Sequence, residues 1–452
     1  MSRILPALRR GLDFIPSPEA NRPGLVLRDP LRYTDKVIFV APPWTVGLRF
    51  LDGEHTELDM QEALTRATGE LVFSDAVRQF EGALREQGFL ETEEFYRLRD
   101  QKQAEFRQRS ERLPVHAGEA YPVEASEVRS TFERYFAEVT GLSALSSSAM
   151  GVAAPHVSPE GGRNCYAVTY RGLATLPGVA ERTFVVLGTS HYGAPEKFGL
   201  TRKPFVTPLG TLHVNLELAD WLERHGGEAV VREDYCFAIE HSIEFQCVFL
   251  QYALGFDLKI VPILCGPFAE SLQTGRPPES NAAVARFLEA LEELAKSQAD
   301  RLFWVLGIDL AHVGRRYGDD FAARADQGAM AAVAEQDRQR LESLCDGELD
   351  KFFELVTMNG DELKWCGYSP LYTFARTLPR AHGRILRYEQ WNIDPPVRRQ
   401  FCQLGVLHPF RKSLVTRSKS RSAAVPFISR RALPASAALR IRIQPVERGG
   451  II

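Results

Sequence analysis

The chain has 452 residues, of which 44% are hydrophobic and 25% charged, and a formal net charge of -3; a length of that order argues for two or three domains and excludes a small stapled module. The near-neutral balance gives no global attraction to nucleic acid, and the chain has no apolar run of about 18 residues to span a bilayer. Seven cysteines, none spaced C-x-x-C, indicate neither a disulfide framework nor a zinc ribbon. The N-terminal stretch MSRILPALRRGLDFIPSP lacks the apolar segment and small-residue cleavage site of a secretion signal, so a cytoplasmic chain is expected.

Residues 24–40 (GLVLRDPLRYTDKVIFV) alternate apolar and polar in the manner of strands. An Asp52-Gly53 turn follows, and Thr56 with Asp59 predicts a capping box that opens a helix running to about Thr68. A second helix is predicted from Ser74 to Gln87, stopped by Gly88, with GFL returning as a short strand. This order is a winged-helix outline. Asp75, Glu81 and Glu86 outnumber Arg78 and Arg85 on the would-be recognition helix, which disfavours DNA and favours a protein or peptide partner.

Residues 92–112 predict a highly charged helix, ended by Pro114, as a connector. From Ala149 to about His408, short apolar runs bounded by Gly, Pro or polar clusters alternate with amphipathic stretches such as LELADWLERHG and NAAVARFLEALEELAKS. That alternation predicts an α/β domain on a largely parallel sheet. From Phe410 onward ten Lys/Arg face one acid, so this end carries about +9 and the remainder about -12; with few large apolar residues it reads as a basic, disordered tail. The predicted organisation is a winged-helix-like domain over 1–105, an α/β domain over 106–410 and a tail over 411–452.

Three apolar runs of the second domain finish on histidine-bearing segments. Residues 150–155 lead to His156, residues 183–188 to His191, and residues 302–306 to Asp309 and His312. In an open α/β sheet the ligand site lies off the carboxyl ends of the strands, so parallel neighbours would bring these residues to one crevice. Histidine suits both metal ligation and proton transfer near neutral pH, although a lone histidine after a strand is more often a structural hydrogen-bonder. A fourth cluster is AIEHSIE at 238–244. Ile239, Ile243, Leu250 and Leu254 mark a buried helical stripe, with His241 and Glu244 sharing another face. The spacing is not H-E-x-x-H, so a zincin site is unsupported; the plain alternative is a charged N-terminal turn satisfied by its own backbone.

APH at 154–156, LGTSH at 187–191, TPLGTLHVN at 207–215, EHSIEFQCVFLQY at 240–252, IVPILCG at 260–266, GIDLAHVG at 307–314 and WCGYSP at 365–370 resemble, in this order, the signature segments of the Memo family. Its bacterial members are usually labelled AmmeMemoRadiSam system protein B. The resemblance starts at HAGEAYP (116–122) and runs to about His408. It implies a fold similar to the class III extradiol dioxygenases, whose iron is held by two His and one carboxylate, with cysteine replacing the carboxylate. Carried over by motif, His156, His191 and Cys366 become ligands of an iron or copper ion. His312 takes the place of a pocket acid/base that Asp309 orients, while His241 and Glu244 look like a second group of pocket residues; for these, support of the ligands is the alternative to catalysis. After APH this chain departs from the family's aromatic segment: Glu160, Gly161, Gly162 and Arg163 suggest a polar, anion-tolerant wall beside His156. Residues 1–105 resemble PqqD-like peptide-recognition modules that accompany radical-enzyme systems. The expectation is therefore a metal-binding redox protein or oxidoreductase working with a radical SAM enzyme and other components of that system, and with a peptide substrate. The competing reading is a non-enzymatic adaptor whose cleft holds a peptide or phosphopeptide; a ring-cleaving dioxygenase is weakened by the missing carboxylate ligand.

Overall fold

The computed structural model describes residues 2–17, 21–140, 145–255, 257–392 and the pair 443–444. The N-terminal unit opens with an antiparallel meander of β1 (Asp13–Pro16), β2 (Leu25–Arg28) and β3 (Val37–Val40). The first of these strands lies in the leader, outside the alternating stretch. Helix α1 (Trp44–Gly47) is a single turn, followed by α2 (Glu57–Thr68) and α3 (Ser74–Glu86). The capping box at Thr56 and Asp59 forms as the spacing predicts, each residue accepting from the other's backbone N–H. Leu27, Ile38 and Val40 of the sheet pack with Met60, Leu64, Val77, Phe80 and Leu84 of the helices in a core of their own. The predicted return strand is only a bridge between Leu90 and Leu8.

Helix α4 (Glu93–Gln108) is less of a free connector than its charge implies. Phe95 is buried beneath the Arg9 guanidinium, whose carbon lies 3.9 Å from the ring centroid, and Phe106 joins the core of the following domain.

That domain runs α5 (Ala125–Glu138), β4 (Gly151–Ala154), α6 (Arg163–Leu173), β5 (Thr183–Thr189), β6 (Phe198–Leu200), β7 (Phe205–Thr207), β8 (Gly210–Val214), α7 (Leu216–His225), β9 (Val230–Arg232), α8 (Glu244–Leu254), β10 (Lys259–Cys265), α9 (Ala269–Thr274), α10 (Ala282–Ser297), β11 (Leu302–Gly307), α11 (Ala329–Cys345), α12 (Leu349–Thr357) and α13 (Tyr368–Thr377). The eight-stranded sheet has the order β4-β11-β5-β10-β6-β9, with β8 also pairing β10 and β7 pairing β8. Its centre, β4, β11, β5 and β10, is parallel. Alternate residues of the central strands face two cores: Phe184, Val186, Phe303 and Val305 pack toward α5, α6 and α8, while Val185, Leu187, Trp304 and Leu306 pack toward α10, α12 and α13. Among the described residues no helix is long and apolar enough to cross a membrane. The basic tail expected over 411–452 lies outside the described residues, except that Ile443 and Gln444 form β12, antiparallel to β3.

The carboxyl ends of the central strands carry a pair of glycines in register, Gly188 of β5 and Gly307 of β11. A Cβ on Gly188 would lie 2.5 Å from the Ser242 Oγ and from Ile243 Cγ1, and one on Gly307 would overlap the Ser242 carbonyl oxygen. The two glycines thus form a saddle in which residues 240–243 rest directly on the sheet edge. Gly82, on α3, has nothing within 4 Å of its missing Cβ. Gly307→Ala is expected to destabilise the chain by about 1–3 kcal/mol through overpacking, whereas Gly82→Ala should stabilise it by about 0.5–1 kcal/mol; urea titration of both variants checks the contrast.

Candidate metal centre

Strands β4, β11 and β5 are parallel neighbours, and their ends deliver His156, Asp309 and His191 to one crevice. His156 is 1% exposed. Its Nδ1–H donates to the Gly307 carbonyl at 3.0 Å, which turns Nε2 toward the crevice, where it lies 3.2 Å from the Cys366 Sγ. His191 Nδ1 is 3.0 Å from Glu240 Oε1, and its backbone N–H donates to Oε2 at 2.9 Å. His241 Nδ1 is 3.1 Å from the same Oε1. One ring nitrogen each from His156, His191 and His241 lies within 4.8 Å of the other two. The His191 and His241 side chains keep 26% and 29% of their exposure, so the group opens to solvent on that side.

This is a donor set suited to a metal. A ligating histidine ordinarily gives its other nitrogen to a carbonyl or carboxylate, which fixes its tautomer. His156 does so through Gly307, and His191 and His241 through Glu240. The thiol of Cys366, beside His156, adds a softer donor at the edge of the group.

The charges agree with that geometry. Burial opposes ionisation of Cys366, but the His156 charge and hydrogen bonds from His156, His191 and His312 hold the thiol well below its ordinary value. Burial also opposes charge on His191, yet Glu240 raises it well above the usual imidazole range. Glu240 is depressed well below the carboxylate range by His191 and His241, against its own burial.

The structure redistributes the roles of the remaining residues. His241 was expected on one helical face with Glu244, but the helix begins only at Glu244; residues 235–238 form a 3-10 turn, and Glu240 Oε1 accepts the N–H of His241 and Ser242, which keeps 240–243 out of the helix. His241 therefore joins His156 and His191, whereas Glu244 points away from them. Glu244 is fully buried, pairs with Arg112, and accepts from Tyr121 Oη and the His116 N–H. Asp309 lies in irregular chain after β11 rather than one helical turn before His312. Its Oδ1 accepts from His156 N at 3.0 Å and Val157 N at 3.4 Å, so it orients His156. His312 is held instead by its Nδ1–H to the Leu310 carbonyl at 2.8 Å. Burial disfavours its charge, but the neighbouring Cys366 thiol pushes it up to about 9. Of the supposed anion-tolerant wall, Glu160 and Arg163 pair with each other, Arg163 also with Glu138 and Glu160 with Tyr135, so that charge is already matched. Two participants escaped the sequence reading. Glu240 is the carboxylate that organises the group, and the only signal for it was an acid set between apolar Ile239 and His241. His116 lies with its ring centroid 5.6 Å from that of His241 and is lowered to about 4 by burial.

Residues 112–394 match the family model described as Memo-like protein. The chain belongs to the Memo-like family. It is similar to a MEMO1 family protein of Aquifex aeolicus, 24% identical over 373 residues that cover 82% of this chain and 92% of the relative. A MEMO1 family protein of Thermus thermophilus is 28% identical over 335 residues, covering 73% of this chain and 92% of its own. One of Methanosarcina mazei is 27% identical over 280 residues, covering 61% and 91%. The Aquifex match takes in more of this Memo-like chain than residues 112–452 contain, so it extends into the N-terminal unit.

The His191–Glu240 pair sets a pH dependence in the metal-free protein. Glu240 is depressed in the folded state, so its contribution holds above the ordinary 4.5 and is lost as pH falls below it. His191 is raised, so its contribution is complete below 6.5 and is lost as pH climbs through the elevated folded value. Stability should therefore fall on acidification below about 4.5, and Glu240→Gln should flatten that fall; thermal melts from about pH 7 down to about pH 2 in the presence of chelator measure it.

Proposed function

We propose that this Memo-like chain is a metal-binding redox protein in which His156, His191 and His241 hold iron or copper, with the Cys366 thiolate beside them as the softer donor. The observation that carries this reading is the fixing of every imidazole by a second partner, Gly307 for His156 and Glu240 for His191 and His241. Such bracing is what a ligand needs, and in these three histidines it accompanies the convergence of one ring nitrogen from each. Iron or copper bound there would supply one-electron chemistry, which zinc would not. The chain's own residues orient and protonate: Glu240 and Gly307 aim the rings, and His312 keeps a proton beside the Cys366 sulfur. The proposed partners are a radical SAM enzyme and a peptide, with the N-terminal unit as the recognition part; this rests on the sequence resemblance.

Anaerobically purified protein should contain iron or copper by elemental analysis. His156→Ala, His191→Ala and His241→Ala should abolish bound metal and Cys366→Ser should lower its retention, while His225→Ala, at the exposed end of α7 against Trp221, should leave it unchanged. Equal content in all five would overturn the site, and zinc alone would overturn the redox reading. His312→Gln should keep near-normal metal while suppressing any oxygen- or peroxide-dependent activity of the wild type, read as oxygen consumption on the same preparations. Metal loss in His312→Gln would make that residue a ligand.

A further inference from the structure

The turn that carries Glu240 and His241 has only a 3-10 segment at 235–238 and no helix or strand to hold it, yet both residues must be placed to within a fraction of an ångström to serve the group. Two sets of contacts grip it from outside the crevice. On one side is Arg112, a guanidinium that is 1% exposed. Its Nε donates to the Phe237 carbonyl at 2.9 Å and its Nη2 to the Glu240 carbonyl at 2.7 Å. Its Nη1 reaches the Leu113 carbonyl at 2.9 Å and pairs with Glu244. Arg112 is itself tied into the sheet, since its N–H donates to Pro204 and its carbonyl accepts from Val206, at 2.9 Å each. Glu244 is further fixed by Tyr121 Oη and by the N–H of His116, whose Nε2 lies 2.8 Å from the Ile239 carbonyl. The carbonyls of Phe237, Ile239 and Glu240 are thus pinned by Arg112 and His116.

On the other side is the N-terminal unit. Tyr235, which opens the turn, stacks on Tyr33 with ring centroids 4.9 Å apart, and its hydroxyl donates to the Leu31 carbonyl at 3.2 Å. The loop that presents Leu31 and Tyr33 is rigid for a stated reason: the buried Asp29 carboxylate accepts from Leu31 N and Thr34 N and forms a bidentate pair with Arg9. From the same loop Arg32, held at φ 53°, donates to the Val115 carbonyl at 3.3 Å, next to His116.

We propose that Arg112 and Tyr33 are positioning residues for the metal group, Arg112 from within the domain and Tyr33 from the N-terminal unit, both acting through the 235–241 turn on Glu240 and His241. The N-terminal unit is then part of what builds the site as well as a recognition module. The inference rests on the metal-binding reading above, so its test has one readout that needs no metal.

In the full chain, Arg112→Met, Arg112→Lys, Tyr33→Leu and the control Lys203→Met are compared. Lys203 is another buried cation, 6% exposed, that pairs with Glu233. Copper and iron affinities are measured by chelator competition, and histidine-labelled, metal-free protein is examined by NMR for the solvent-protected Nδ1 proton that His191 shares with Glu240. Arg112→Met should weaken metal binding by roughly tenfold to a hundredfold, the usual scale for residues that orient ligands, and should lose the protected proton. Arg112→Lys, which keeps the charge without the fork of donors, should recover less than half of that loss on a logarithmic scale. Tyr33→Leu should weaken binding several-fold and shift the same proton, and Lys203→Met should do neither at a matched loss of melting temperature. Should Arg112→Met fail to fold, Arg112→Lys and Tyr33→Leu decide the question. Wild-type affinities and a wild-type proton signal in these variants would overturn the inference. A wild-type chain without metal affinity overturns the proposed function alone, and the proton signal still decides the positioning roles.

Discussion

Removing the Glu240 side chain would leave five donors unanswered at once. The N–H groups of His191, His241 and Ser242 and the rings of His191 and His241 all converge on its two oxygens, and at 2% exposure the carboxylate is shut off from solvent. A buried carboxylate is tolerated only when its lone pairs are filled, so this convergence both satisfies the charge and fixes the loop around it. The helix that follows starts late for the same reason. The N–H groups that would have extended its first turn toward Glu240 are already committed to the side chain, and His241 is turned into the crevice instead of onto a helical face.

On the opposite wall, Asp309 plays a comparable part for His156, and its backbone carbonyl accepts the Gly367 N–H at 2.9 Å. A single residue therefore connects one imidazole to the segment bearing the thiol. Thr189 adds a link by donating to the Cys366 carbonyl at 3.0 Å, which ties the end of β5 to the same segment. The rings and the sulfur are consequently borne by pieces of chain that brace one another.

The legible part of the molecule was what depends on period and order. Apolar runs separated by amphipathic stretches specify a parallel sheet whatever their side chains do afterwards, and the convergence of His156, His191 and Asp309 follows from the rule that strand ends meet. The capping box was equally readable, since Thr56 and Asp59 act within one turn. Illegible were roles set by contacts across long separations. Glu244 looked like a pocket residue because it sits three positions from His241, and only Arg112, 132 positions away, shows why it turns elsewhere. Asp309 and His312 suffered the same ambiguity: three residues apart suggests one helical face, but the chain there is irregular and each side chain finds its own partner. Glycine content gave no hint of the saddle, because what Gly188 and Gly307 must avoid belongs to a turn more than fifty residues from either.

The scatter of the donors along the chain has a kinetic meaning. His156, His191, His241 and Cys366 come from four separate segments, and three strands must be paired in register before the His156 and His191 rings approach each other. Contacts of such long sequence separation form late, since loop closure must precede the stabilisation that they give. A newly made chain thus lacks the complete set of donors until the sheet has formed. Loading belongs to the finished domain, and the occupied fraction of a preparation will report how much of it reached the native fold before meeting its ion.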